Sequence, residues 1–569
     1  MGGGLIQLVA YGSQDMYLTG NPQITFFKIV YRRHTNFSIE SIKQTFQGNP
    51  DFGKTITSTI QKNGDLIHKC YLQVQIPKIK LEKGGTGTST TTSKKGFRWL
   101  NWLGHVLIKY FEIEIGGQRI DKQTGEWLHL WNELSCPPGK ASGYAEMVGN
   151  VPKLTQTYFN YTNGGNDTNP YDTDVEVDGY TLYIPMQFWF CRNAGLALPI
   201  IALQYHDVNI NIEFRELNEC IWAVEIKNDN RGDAEENPFQ IVSYGANAVK
   251  TGDSGQNNIS INNKNTNLYV DYIFLDTDER RRFAQVAHEY LIEQVQHRGH
   301  QTIKSTTDDN QEFAIKLNFT HPVKELVWVV QPSNFIQKDY SQSRGGRQYY
   351  NYTDLWDYSG FTGTPEPKNG GGMPGGRQPH NNSFGLSEVL VEGRLDSTNQ
   401  WANNLLAIST TTAGYIDISQ YTKPQTVSTY SNRYGMWSHS GNNRVDSGDN
   451  PVSLAKLVLN GNDRFAERNG GYFNLVQPYQ HHTSIPAPGI NVYSFALNPE
   501  DHQPSGTCNF SRIDNAFLNL TLTSNALSKY GNSGTTDGFN SGSVSVRIYA
   551  TNYNILRIMS GLGGLAYSN

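Results

Sequence analysis

One segment of this chain is written twice, and that repetition constrains the architecture more than any motif does. The first copy reads Ile113-Glu114-Ile115-Gly116-Gly117-Gln118-Arg119-Ile120, then Gly125-Glu126-Trp127-Leu128. The second reads Val458-Leu459-Asn460-Gly461-Asn462-Asp463-Arg464-Phe465, then Gly470-Gly471-Tyr472-Phe473. Each has an apolar strand, a glycine turn, an arginine, a large apolar residue, a second glycine, then an aromatic with a large apolar neighbour. No gap interrupts the match: Gly125 and Gly470 lie 345 positions apart, as do Gly116 and Gly461. A strand–turn–strand unit repeated at that spacing points to two similar β domains, and so to architecture rather than catalysis.

The 569 residues suit two domains of roughly 200–250 residues each with long loops. Aromatics make up 12% and charged residues only 17%, and 55 glycines stand against 7 methionines, a balance that favours strands and turns. A net charge of -5 supplies no electrostatic reason to bind nucleic acid directly. Cys70, Cys136, Cys191, Cys220 and Cys508 are odd in number and lack CxxC spacing, so neither a disulfide framework nor a structural zinc site is expected. The N-terminus has no basic, long apolar leader. Gly2 is followed by Ile6 where a myristoylation signal has Ser or Thr.

Alternation of apolar residues predicts strands at 37–46, 55–60, 70–76, 109–115, 180–190, 208–214 and 268–275. Further strands are expected at 313–319, 326–330, 454–459, 492–497, 517–522 and 544–549. Asp276 and Glu279 resemble a capping box opening a helix, with Phe283, Val286, Ala287, Tyr290 and Leu291 on one face. Residues 1–27 read as an arm, 28–283 as the first domain, 284–310 as a connector and 311–569 as the second domain. Long polar insertions occupy 84–96, 225–266, 339–450 and 528–543, more loop than compact enzymes carry.

Candidate chemistry is sparse. His481, His482 and His502 invite a metal reading, but neighbouring side chains on a strand point to opposite faces, so hydrogen-bonding loop histidines are expected. The acidic run Asp172, Asp174, Glu176, Asp178 lacks the glycine and distal glutamate of an EF-hand. Asp276, Asp278 and Glu279 with Arg280, Arg281 and Arg282 read as helix capping and interdomain ion pairs. Residues 370–376 are glycine-rich without GK[ST], and no GxSxG occurs. No catalytic, cofactor or metal residues are therefore assigned. Among several Asn-x-Ser/Thr sequons, Asn351, Asn381 and Asn258 are taken as candidate glycosylation sites.

Several stretches resemble one protein family. The runs Leu8 to Asp15, Tyr17 to Lys28 and Tyr31 to Phe37 resemble the start of major capsid proteins of nucleocytoplasmic large DNA viruses. So do Phe190 to Ile200, Leu203 to Asp207, Asp276 to Arg282, Asn460 to Phe465, Gln477 to His482, Pro504 to Asp514 and Tyr553 to Leu565. The resemblance spans both ends and most strands, and is lost in the long loops, above all 339–450. It implies an all-β fold of two consecutive eight-stranded antiparallel jelly rolls with few short helices. It also implies a homotrimer of pseudo-hexagonal outline that tiles an icosahedral shell over an inner membrane. Implied partners are neighbouring capsomers, minor capsid and penton proteins, and the membrane surface through the arm. The location implied is the virion capsid, with synthesis and assembly in the host cytoplasm. The rival reading is a carbohydrate-binding or host-attachment jelly roll, whose sugar platform would be Tyr349, Tyr350, Tyr352, Trp356 and Tyr358.

Overall fold

In a computed structural model, the residues described are 3–81, 93–155, 158–161, 175–228, 239–245, 259–261, 265–304, 312–337, 346–354, 449–523, 526 and 543–567. Eight strands build the first roll: β1 Phe37–Gln44, β2 Thr55–Thr59, β3 Leu66–Ile76, β4 Ile108–Ile115, β5 Gln118–Thr124, β6 Tyr180–Pro185, β7 Val208–Phe214 and β8 Asn267–Leu275. They pair in two sheets, β1-β8-β3-β6 and β2-β7-β4-β5. The second roll has β9 His288–Lys304, β10 Glu312–Lys316, β11 Pro322–Pro332, β12 Val452–Leu459, β13 Asn462–Asp463, β14 Ile490–Ser494, β15 Ala516–Leu522 and β16 Ser543–Met559. Its sheets run β9-β16-β11-β14 and β10-β15-β12-β13. Adding eight to each strand number of the first roll gives the second. All of these pairings are antiparallel, and each roll closes two sheets, built on four strands apiece, over one another, the jelly-roll solution to burying two apolar faces.

The repeated segment occupies the same place in both rolls. Gly116 and Gly117 have φ of 58° and 80°, and Ile115 pairs with Gln118 across them. Asn460 and Gly461 have φ of 50° and 81° between Leu459 and Asn462. Two successive left-handed residues make the type I′ hairpin turn, whose twist matches the strands it joins. Helix α1, Gly125–Ser135, follows the first hairpin, with the Thr124 hydroxyl accepting from the Trp127 amide at 3.1 Å. A five-residue π-helical turn, Tyr472–Val476, leading into a short α-helix follows the second.

Alternation decides which side chains meet. Cys70, Leu72, Val74 and Ile76 of β3 face the first core, with Tyr71, Gln73 and Gln75 on the other side. Leu326, Trp328 and Val330 of β11 join Leu518, Leu520 and Leu522 of β15 in the second core. Each fully buried side chain of this size contributes roughly 1.5–3 kcal/mol.

Two expectations need correction. Helix α2 starts at Thr277 behind Asp276, whose carboxylate accepts from the Thr277 amide at 2.8 Å, but it ends at Gln285. Tyr290 and Leu291 therefore belong to a strand, not to a helical face. Most of the stretch 284–310 is β9, whose partner β16 lies about 250 residues later, as in Leu291 opposite Ile555. The polar insertions are also not all loop. Ser93–Trp99, Tyr158–Tyr161, Ile221–Asn228 and Phe239–Tyr244 pair into a third sheet on the first roll.

Candidate functional site: the seam between the rolls and the faces around it

The rolls meet through one face of the sheet β9-β16-β11-β14. Strand β11 is buried on both sides: Trp328 and Val330 point into the second core, while Val327 and Val329 pack with residues of the first roll. From the first roll come β5 and α1. Trp127 lies 5.5 Å, ring to ring, from Tyr549 of β16.

Polar groups lock this apolar contact. Glu126 of α1 accepts from Arg547 Nε at 2.8 Å, from the Tyr352 hydroxyl at 2.9 Å and from the Tyr549 hydroxyl. Burial opposes the Glu126 charge, but Arg547, the Tyr549 hydroxyl, His297 and the Tyr352 hydroxyl together outweigh it and hold the carboxyl below its ordinary range. Arg547 Nη2 also donates to Gln331 Oε1 at 2.8 Å, and the Gln331 amide donates to the carbonyls of Gln348 and Asn351. On β5, Asp121 accepts from the Val295 amide at 3.2 Å, and burial raises its pKa to about 6.

Glu293 of β9 forms a second node. Lys324 Nζ lies 2.7 Å from it and Arg192 Nη1 of the first roll 3.1 Å from it. Burial alone would raise its pKa; His502, Lys324 and Arg192 bring it down to about 2. A cavity of about 320 Å³ opens beside this node, lined by residues including Arg192, Glu293, Glu500 and His502. At the C-terminus, residues Leu562–Leu565 pair with β16, while the Gly561 carbonyl accepts from the Tyr205 amide and the Leu565 amide reaches Gln118.

The residues singled out from sequence fall as follows. His481 ends the short helix Gln477–His481, α3, and bonds the Leu497 carbonyl through Nδ1 at 2.8 Å. His482 is buried between Glu325 and Glu500, 3.0 Å from each. Burial disfavours its charge, but Glu325 and then Glu500 prevail and raise its pKa to about 9. His502 sits 3.7 Å from Glu293. Among the described residues no group of three metal-ligating side chains occurs. Arg280 pairs with Asp65 at 3.0 Å, inside the first roll rather than between domains. Asp178 pairs with Lys153 at 3.2 Å, while Asp172, Asp174 and 370–376 lie outside the described residues.

The described part of the tyrosine platform is not an open surface. Tyr350 and Tyr352 are buried, Tyr350 stacking on His129 at 4.3 Å, and Trp356 and Tyr358 lie outside the described residues. Asn351, expected at the surface, is buried: its Nδ2 donates to Gln348 and its Oδ1 accepts from Thr353. Asn258 and Asn381 lie outside the described residues. Sequence reasoning missed Glu126, Arg547, Asp121 and Lys324. One signal was present: within the repeat, Glu126 stands where the second copy has Gly471.

The outer surfaces differ sharply from the seam. No residue from 3 to 43 is buried, although the arm carries Leu8, Val9, Tyr17, Leu18, Phe26 and Phe27. No described helix is long and apolar enough to cross a membrane.

Comparisons with known proteins agree with this arrangement. The chain is 45% identical to the major capsid protein of Phaeocystis pouchetii virus and 43% identical to that of Chrysochromulina ericina virus, over the full length of each partner. A quasi-atomic structure of the PBCV-1 virus capsid matches with a TM-score of 0.58 and 32% identity, covering 96% of this chain and all of that one. The family of major capsid protein N-termini matches residues 25–276, and the family of large eukaryotic DNA virus major capsid proteins matches 279–564. The duplicated roll, its seam and these matches together place the chain in the major capsid protein family of the large eukaryotic DNA viruses.

Proposed function

We propose that this chain is the structural subunit of an icosahedral viral shell, working by assembly. Three copies form a capsomer of pseudo-hexagonal outline, and capsomers tile the shell. The observation that carries this reading is the identical strand order of the two rolls in one chain. Two like lobes per chain give six per trimer, the shape that packs hexagonally.

Within that reading, the two rolls are the two assembling domains, the first within 28–283 and the second opening with β9 at His288 rather than at 311. The arm, 1–27, runs beneath the capsomer toward minor capsid proteins or the inner membrane surface. Its wholly exposed apolar residues support a role completed by a partner. Penton proteins and neighbouring capsomers are the remaining contacts, and assembly takes place in the host cytoplasm. Asn258 and Asn381 stay as candidate glycan sites.

Light scattering on the purified full chain tests the trimer. A mass near three times 63.9 kDa is expected, and a monomer at shell-forming concentration would overturn it. Crosslinking of assembled shells tests the arm, which should join internal proteins; attachment only to outer-surface probes would refute that placement.

A further inference from the structure

The internal repeat permits a comparison of like positions. In the first copy Leu130, Trp131 and Leu134 of α1 are buried, at 0%, 6% and 0% exposure. Their counterparts 345 residues on are Leu475, Val476 and Tyr479, at 51%, 40% and 77%. All six are apolar or aromatic. Leu128 and its counterpart Phe473, by contrast, are both buried, and Phe473 packs against Trp328 of its own roll. The side turned to the home roll is thus filled in both copies, while the other side is covered once and bare once.

In the first copy this side of α1 meets the second roll: Trp127, which packs against Trp131 one turn on, lies 5.5 Å from Tyr549 of the sheet β9-β16-β11-β14, and Leu130 and Leu134 belong to the apolar cluster that runs across both rolls. The matching sheet of the first roll, β1-β8-β3-β6, leaves the corresponding face open. There Tyr71 stacks on Tyr269 at 5.1 Å and lies 6.3 Å from Tyr183, which is exposed. Tyr71 stands opposite Tyr269 on β3 and β8, as Val327 stands opposite Tyr549 on β11 and β16.

The chain therefore holds one completed contact and the two unmatched halves of another. We propose that the face formed by Leu475, Val476 and Tyr479 docks on the tyrosine face of Tyr71, Tyr183 and Tyr269 in a second copy of this chain. The occupant follows from the repeat: the seam inside the chain uses the second roll's sheet and leaves its homologue on the first roll unmatched, so a second copy of the chain carries the surface of the same kind. Tyrosine suits such a face, because its ring packs while its hydroxyl stays hydrated at the rim. The contact is head-to-tail, so repeating it generates a ring, and three chains supply its six rolls. This inference rests on the capsomer reading and specifies which surfaces make it.

The test uses two full-length variants, Tyr479→Asp on the helical face and Tyr183→Asp on the sheet face, with thermal unfolding as the folding control. Each alone should lose the trimer and run as a monomer that still unfolds in one cooperative transition. Mixed in equal amounts they should form a dimer and stop there, since one intact helical face and one intact sheet face remain. Wild-type and both variant chains all running as trimers would overturn the pairing and leave the capsomer reading standing. Variants that are monomeric but give no dimer on mixing would also overturn it. A monomeric wild type would remove the capsomer reading and this pairing together.

Discussion

Glu126 and Arg547 lie 421 positions apart in sequence, yet the Arg547 guanidinium donates to the Glu126 carboxylate at 2.8 Å across the seam. The pair ties the helix after the first hairpin to the last long strand of the second roll. Because both side chains are largely buried, the partner left behind matters more than the bond. Glu126→Ala should lower stability by about 3–5 kcal/mol, the cost typical of stranding one buried charge. Denaturant unfolding of the full chain measures it, and a change below about 1 kcal/mol would mean that water reaches Arg547.

The repeated glycines make a second prediction. A Cβ on Gly125 would strike the carbonyl oxygens of His105 and Ile108, and one on Gly470 would strike that of Val452. Both collisions are with backbone at or near the start of the strand that opens the hairpin. Gly125→Ala and Gly470→Ala should each cost about 1–3 kcal/mol. Gly139→Ala, in a helix with open space around that position, should instead be neutral or stabilising by up to about 1 kcal/mol. Thermal unfolding of the three variants decides it.

His482 predicts a pH dependence. Its pKa rises on folding from the ordinary 6.5 to about 9, as Glu325 and Glu500 outweigh burial. The stability it contributes is fully present below pH 6.5 and is lost as pH rises through 9. Between pH 7 and 10 the wild-type unfolding midpoint should fall more steeply than that of His482→Gln. Parallel slopes would show that the imidazole is neutral in the fold.

Glu293 acts at the opposite end of the scale. Its carboxyl is held at about 2 against an ordinary 4.5, with burial outweighed by His502, Lys324 and Arg192. Its contribution is present above pH 4.5 and disappears as pH falls toward 2. Glu293→Gln should flatten the acid limb of the stability profile over that window, as followed by intrinsic fluorescence. It should also lower stability at pH 7, because Lys324 is then buried beside a neutral amide.

Asn351 carries a sequon but is buried with its amide nitrogen and oxygen both engaged. Peptide mass spectrometry of the virion protein should find it unmodified. A glycan there would require the segment around Gln348 to open.

Much of the fold was legible because local rules set it. The strands β3, β7 and β15 show plain alternation, and the hairpin glycines mark turns that need positive φ. Strand β9 was misread because Val286, Ala287, Tyr290 and Leu291 also satisfy a helical spacing. Only pairing with β16, supplied from the far end of the chain, resolves the ambiguity. The tyrosines at 349–352 suited either loop packing, the favoured reading, or a sugar platform, because composition does not report burial. In the fold they fill the space beside α1.

What the sequence by itself determined is the duplication, the β character and the turn at the heart of each roll, since these depend on neighbours within a few residues. What only the tertiary structure decided is the seam. There the same position of the repeat is buried as Leu134 and exposed as Tyr479. The residues are alike in kind, and the difference lies in which sheet stands opposite, a fact set by contacts hundreds of residues apart.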